Sequence, residues 1–303
     1  MLKHRLIAGS LMAAGVMAIL FGDALLSDAL GRPVLPFLGV LTLTAGFFAT
    51  RELVGIIPEP NRPHRGLCLL GVTALLAVHF VQAGVGTVPG LGRFGPRSWE
   101  PVALVFAGCV LAAFLVEMYR YTGSGNSVTR IAHAVLVMAY TGLLTGFFVK
   151  LRWLTPDADH PHVPAVYLAL AVFVPKCCDI AAYFVGRLLG RHPFTPRLSP
   201  KKTWEGFAGG FAGGVFAACF LHGFGLVSGV GPAFRYGWGE AVAFGVVVGF
   251  VGVLGDLAES LIKRDGQTKD ASQTVPGFGG LLDVFDSVLF AAPVAYVWFA
   301  VQN

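Results

Sequence analysis

Toward the C-terminal end of the chain, Asp256, Ser260 and Lys263 stand at offsets of zero, four and seven, so a carboxylate, a hydroxyl and an ammonium share one face of a helix. A carboxylate beside a cation at the edge of an apolar run suits a metal ion and a phosphate together; a helix end with internal ion pairs fits the same spacing. Further along, the chain reads Val275-Pro-Gly-Phe-Gly-Gly-Leu-Leu-Asp-Val-Phe-Asp-Ser287. Gly277, Gly279 and Gly280 there can turn backbone N–H groups toward an anion where a helix begins. Asp283 and Asp286, three apart, project the same way from an otherwise apolar final segment. Two such acids are costly without a cation, and Mg2+ is the natural partner because it takes oxygen ligands and bridges substrate phosphates. A flexible turn followed by helix-start aspartates accounts for one acid, and poorly for two with Asp256 nearby in sequence.

Upstream, Ser199-Pro200-Lys201-Lys202-Thr203 precedes a long apolar run. Its lysines and hydroxyls can hold phosphates, although paired lysines just inside a membrane helix are more often topology signals. Lys176 and Asp179 interrupt another run and share a face with Tyr183; a private ion pair and a place in the site are equally open readings. Gly186 and Gly190, and the pairs Gly209-Gly210 and Gly213-Gly214, have the spacing of close helix packing. His79, His133 and His222 are isolated, His160 and His162 lie in an expected loop, and none carries a role. The five cysteines, Cys68, Cys109, Cys177, Cys178 and Cys219, show no C-x-x-C spacing and read as buried thiols.

Helices in a bilayer must position all of these groups. Of the 303 residues, 55% are apolar and only 13% charged, and the mean hydropathy is +0.70, which excludes a soluble domain, a disordered chain and a disulfide scaffold. Because a bilayer core needs about 20 mostly apolar residues per helix, the expected spans are 6–22, 33–50, 66–84, 101–116, 131–149, 164–185, 207–228, 241–255 and 284–301. The fold expected is all-α, a polytopic integral membrane protein of about nine transmembrane helices. It forms one integral membrane domain over 1–303, with an N-terminal helical region 1–160 and a catalytic helical region 161–303. The first span follows Lys3 and Arg5 and precedes a small-x-small stretch, Ser27-Asp28-Ala29; its length favours a retained helix over a cleaved signal.

Fifteen of the 22 Lys and Arg fall on the N-terminal side of the bilayer, six on the other, and Lys176 within it. That excess sets the N-terminus in the cytoplasm. The net charge of +5 then belongs to a membrane surface, and no nucleic-acid partner is expected.

Together and in order, these segments resemble the phosphatidate cytidylyltransferases, or CDP-diacylglycerol synthases. Asp179 to Arg187 and Ser199 to Phe207 are similar to the family's two upstream blocks. Ser260, Lys263, Arg264, Lys269, Asp270, Pro276, Gly277, Gly279, Gly280, Asp283 and Asp286 match its C-terminal signature; Phe278 stands where the family has His, and Val284 where it has Arg. Specific resemblance covers roughly the last 125 residues.

The resemblance implies transfer of a cytidylyl group from CTP to phosphatidic acid at the cytoplasmic side of the cell membrane, with CTP, phosphatidic acid and membrane lipids as partners, Mg2+ as cofactor and a homodimer as the candidate assembly. It implies catalytic roles for Asp256, Lys263, Asp283 and Asp286, with the metal on Asp256, Asp283 and Asp286. Substrate contacts would come from Ser199, Lys201, Lys202, Thr203, Ser260, Arg264, Lys269, Asp270, Gly277, Gly279 and Gly280. Three rivals stand beside it: a CTP-dependent lipid kinase or other lipid cytidylyltransferase, an ion-coupled transporter, and a silent scaffold kept open by Phe278 and Val284.

Overall fold

The computed structural model describes residues 2–30, 35–85, 91–123, 125–154, 160, 162–269, 271–272 and 279–302. Nine long helices run through them: α1 (Leu2–Leu30), α2 (Pro36–Ile56), α3 (Arg65–Val85), α4 (Glu100–Tyr119), α5 (Ser127–Arg152), α6 (Val163–Leu189), α7 (Trp204–Val227), α8 (Trp238–Asp265) and α9 (Leu281–Ala300). The helices α2 to α9 are each long and apolar enough to cross a membrane, and the protein is a multi-pass, all-α membrane protein. Each expected apolar run coincides with one helix. Residues 33 and 34 of the second run lie outside the described residues. Most of the helices extend past those limits at one end or both because backbone hydrogen bonding continues after the apolar residues stop; α6 and α8 reach 27 and 28 residues and carry Arg187, Lys263 and Arg264 in their last turns.

A short antiparallel hairpin, β1 (Pro193–Thr195) and β2 (Ser199–Thr203), separates α6 from α7, with Pro193 opposite Thr203 and Thr195 opposite Ser199. The first carboxylate of α7 holds it: Glu205 accepts the N–H groups of Arg191 (3.0 Å) and His192 (3.3 Å). Thr203 ends the hairpin and starts the helix, its hydroxyl accepting the Gly206 N–H at 3.1 Å. At the other side of the bilayer, Asp23 of α1 caps α2 by accepting from Phe37 (3.0 Å) and Leu38 (2.8 Å).

Two apolar clusters form the interior. One joins α6, α7, α8 and the outer half of α9 through residues such as Leu170, Ala218, Phe244, Ala292 and Phe299. The other joins α2 to α5 through Leu53, Leu75, Val137 and Met138, and takes in Leu282 and Leu289 of α9. Helix α9 belongs to both, so whatever fixes its start fixes the relation between the two halves. The five cysteines are free thiols, three buried and two half-buried.

Small residues set the helix crossings. A Cβ at Gly213 of α7 would lie 2.5 Å from Ala181 Cβ and 2.6 Å from the Cys177 carbonyl oxygen, so the expected packing role of this glycine is met. At Gly255 of α8, a Cβ would lie 2.5 Å from the Asp286 carbonyl oxygen and 3.0 Å from Ser287 Cα. That contact draws the backbones beside Asp256 and Asp286 together. Gly255→Ala should therefore push α8 from α9 and cost about 1–3 kcal/mol, read as a lower thermal midpoint in detergent. Gly108→Ala, at an exposed position with nothing within 4 Å of the new Cβ, should leave the midpoint unchanged or raise it.

Candidate active site

The middle of α6, the C-terminal half of α8, the first turns of α9 and the hairpin before α7 bring their charged side chains into one network. From α6, Lys176 Nζ lies 3.4 Å from Asp179 Oδ2 and 3.3 Å from Asp286 Oδ1 of α9. Asp179 Oδ2 also accepts the Ser287 hydroxyl at 2.8 Å. The Lys176–Asp179 pair is thus not private, because Asp286 shares its ammonium. From the hairpin, Lys202 Nζ reaches Asp256 Oδ2 of α8 at 2.6 Å. Within α8, Lys263 Nζ pairs with Glu259 Oε2 and with Asp283 Oδ1 of α9, both at 2.6 Å.

These contacts link five carboxyl groups to three ammoniums, so the acids outnumber the lysines by two. Asp256, Glu259 and Asp286 each offer an oxygen, and the three oxygens lie within 4.8 Å of one another. Glu259 is buried, and its Oε1 has no hydrogen-bond partner among the described residues. A buried carboxylate oxygen left without a donor is strongly unfavourable, and an all-oxygen donor set in which acids outnumber ammoniums fits a hard divalent cation.

Asp283 lies beside Glu259, with which it shares Lys263, but is not one of the three clustered acids. Its Oδ1 is taken by Lys263, and its Oδ2 accepts the N–H of Gly280 at 2.5 Å and of Ala271 at 3.2 Å. It therefore braces Lys263 and the turn before α9, and Glu259 fills the place among the clustered oxygens that the sequence reading gave to Asp283. The signal for Glu259 was present, since it lies three residues after Asp256 and four before Lys263.

The start of α9 also departs from the anion cradle expected of the glycine loop. Glu52, from the distant helix α2, accepts the N–H of Leu281 (3.1 Å) and Leu282 (2.8 Å) and the Ser272 hydroxyl (2.6 Å). With Gly280 donating to Asp283, the first amides of the helix are already satisfied by two carboxylates and do not face a free anion. Gly279 adopts φ +101°, and a Cβ there would strike Asp283 Oδ2 at 2.5 Å, so the glycine serves this bracing turn. Nothing in the local sequence marks Glu52; only its charge at the end of an apolar run sets it apart.

The remaining candidates divide. Arg264 Nε donates to the Leu198 carbonyl oxygen at 3.4 Å, tying α8 to the hairpin. Lys201 and Lys269 are exposed. Ser199 and Thr203 lie in the hairpin strand, where Thr203 serves as the α7 cap. Ser260 is half-buried and outside the ion-pair network, because Glu259 is the residue of α8 that turns to Lys263. Asp270, Gly277 and Phe278 lie outside the described residues.

The description "Cytidylyltransferase family" belongs to a family model that matches residues 3–302. Proteins named phosphatidate cytidylyltransferase are similar to the chain: that of Bacillus subtilis is 35% identical over 166 residues, 55% of this chain and 57% of that one. That of Haemophilus influenzae is 36% identical over 169 residues, again 55% and 57%. That of Brucella suis is 42% identical over 200 residues, 66% and 65% of the respective chains. The matched stretch thus spans less than two thirds of each relative's length.

If Glu52 is the clamp on α9, Glu52→Ala leaves two helix-start amides without acceptors. The expected loss is about 1–3 kcal/mol, measured as a drop in the thermal midpoint of the purified protein. Glu52→Gln, which keeps an acceptor oxygen, should lose less.

Proposed function

The chain belongs to the cytidylyltransferase family, and from that premise we propose that it transfers the cytidylyl group of CTP to phosphatidic acid, giving CDP-diacylglycerol and pyrophosphate. The observation that carries this reading is the Asp256–Glu259–Asp286 oxygen cluster set among Lys176, Lys202 and Lys263. Acidic oxygens for a divalent cation and ammoniums for phosphates, at one end of a membrane bundle, suit a reaction between a soluble triphosphate and a lipid phosphate.

The lipid phosphate is already anionic at neutral pH, so no strong base is needed. One of its oxygens attacks the α-phosphorus of CTP in line; a new P–O bond forms, the bond from the α-phosphorus to the bridging oxygen breaks, and pyrophosphate leaves with that electron pair. The protein's work is alignment and charge neutralisation. Asp256, Glu259 and Asp286 would hold Mg2+, which when bound supplies positive charge to the phosphate oxygens. Lys202 and Lys263 place ammoniums beside those carboxylates, and Lys176 spaces Asp179 from Asp286. Asp283 contributes by holding Lys263 and the turn before α9. The exposed Lys201 and Arg264 on the hairpin side offer further charge to a triphosphate.

Arg187, Arg191, Arg197, Lys201, Lys202, Lys263 and Arg264 all lie in the segments at the site's end of the bundle, and that concentration of positive charge supports a cytoplasmic site in the cell membrane. There CTP is available, and a lipid entering between helices keeps its acyl chains in the bilayer.

Purified protein in detergent, given CTP labelled in the cytidine, phosphatidic acid and Mg2+, should yield lipid-linked CMP. Transfer of the γ-phosphate to lipid, or no turnover, contradicts the proposal. Asp256→Asn, Glu259→Gln and Asp286→Asn should each lower turnover about 100-fold or more and abolish the thermal stabilisation given by Mg2+ alone. Asp283→Asn should lower turnover while keeping that stabilisation; loss of it would return Asp283 to the metal ligands.

A further inference from the structure

Helix α5 contains a single π-helical stretch, Met138–Leu143, and within it lies Tyr140. Such turns cost helical hydrogen-bond geometry and recur where a helix is adapted for function. Here the widened turn is fixed by the Thr141 hydroxyl, which meets that of Thr50 in α2 at 2.8 Å. Tyr140 is 6% exposed, and its hydroxyl has no hydrogen-bond partner among the described residues. Its ring packs edge-on to Phe290, with centroids 6.0 Å apart, one turn beyond Asp286 on α9. Phe290 in turn lies against Gly255, whose Cβ position is 3.1 Å from Phe290 Cβ, next to Asp256. Asp256 directly follows Gly255 and Asp286 stands four residues before Phe290, so the residues that Phe290 packs with and follows carry two of the three clustered acids.

A buried phenol normally finds a partner, because leaving its O–H unpaired costs about 1–3 kcal/mol. Apolar packing alone is met equally by phenylalanine, so the hydroxyl calls for an acceptor that arrives from outside. Beside a carboxylate cluster that holds a cation, the acceptor that such a cation would bring is a phosphate oxygen. We propose that Tyr140 is a substrate-contacting residue supplied by the N-terminal half of the chain, its hydroxyl donating to a phosphate oxygen held at the Asp256–Glu259–Asp286 cluster. The inference rests on the cytidylyltransferase reading for the identity of the phosphates, which CTP and phosphatidic acid both carry.

Tyr140→Phe removes the O–H and keeps the ring against Phe290. In the full-length protein, kcat/KM should fall about tenfold or more, with the loss in the KM for CTP or for phosphatidic acid identifying which phosphate is held. The thermal midpoint without ligand should not fall, whereas the stabilisation produced by CTP with Mg2+, or by phosphatidic acid in detergent, should shrink. Wild-type kinetics and ligand stabilisation in Tyr140→Phe would overturn the proposal and leave the cytidylyltransferase reading standing. Conversely, a wild-type protein that CTP stabilises without forming lipid-linked CMP would defeat that reading, and loss of the stabilisation in Tyr140→Phe would still support the tyrosine contact. A lowered midpoint without ligand, in proportion to the lost activity, would make Tyr140 a packing residue only and overturn the proposal.

Discussion

Charge placed among membrane-spanning helices has to be matched, since an unpaired ion there costs several kcal/mol even after it finds water or bends the bilayer. In this protein the matching stops short. Lys176, Lys202 and Lys263 each bridge helices or segments, and each is held by acids, yet the acids outnumber the lysines by two. Oxygens of Asp256, Glu259 and Asp286 cluster there, and one buried oxygen of Glu259 meets no donor among the described residues. A divalent cation held there would supply the missing positive charge in one step, and the same cation would draw in phosphates. Location of the acids, the lysines around them and the chemistry proposed all follow from that imbalance.

The rest of the fold makes the imbalance tolerable and keeps it in place. Gly255 lets α8 and α9 approach until Asp256 and Asp286 face each other, and a side chain as small as alanine would separate them. Pro175 interrupts the hydrogen bonding of α6 immediately before Lys176, against Gly252 of α8. Glu52 reaches from α2 to the first amides of α9, so the N-terminal region sets the start of the helix that carries Asp283 and Asp286. The cluster therefore draws on both regions of the chain, with 1–160 supplying the Glu52 clamp on α9, and 161–303 supplying the clustered charge.

Much of this was legible in the sequence because it obeys strong local rules. Runs of apolar residues long enough for a bilayer gave nine helices at the right places; charges interrupting a run marked Lys176 and Asp179, charges at the end of one marked Asp256 and Lys263, and Lys202 stood in a lysine pair that reads more often as a topology signal. What escaped depended on three-dimensional partners. Asp283 and Asp286 share a spacing that suggests a common role, but Asp283, the third residue of α9, reaches back to the turn before the helix, while Asp286, one turn deeper, meets Lys176 of α6 and the acids of α8. Glu259 was passed over for Ser260 because one residue along a helix turns a side chain by about 100°, and the face that meets α9 is known only once α9 is placed. Glu52 and the π-helical turn of Tyr140 have no local signature, since their partners lie more than a hundred residues away in sequence.

The central claim is that a divalent cation binds between Asp256, Glu259 and Asp286. Anomalous scattering from crystals of the protein grown with Mn2+ in place of Mg2+ tests it without reference to turnover. The account predicts a manganese peak bounded by those three carboxylates, with Asp283 still turned toward Lys263. A peak centred on Asp283, or none at a cluster whose acids remain paired only with lysines, would contradict it.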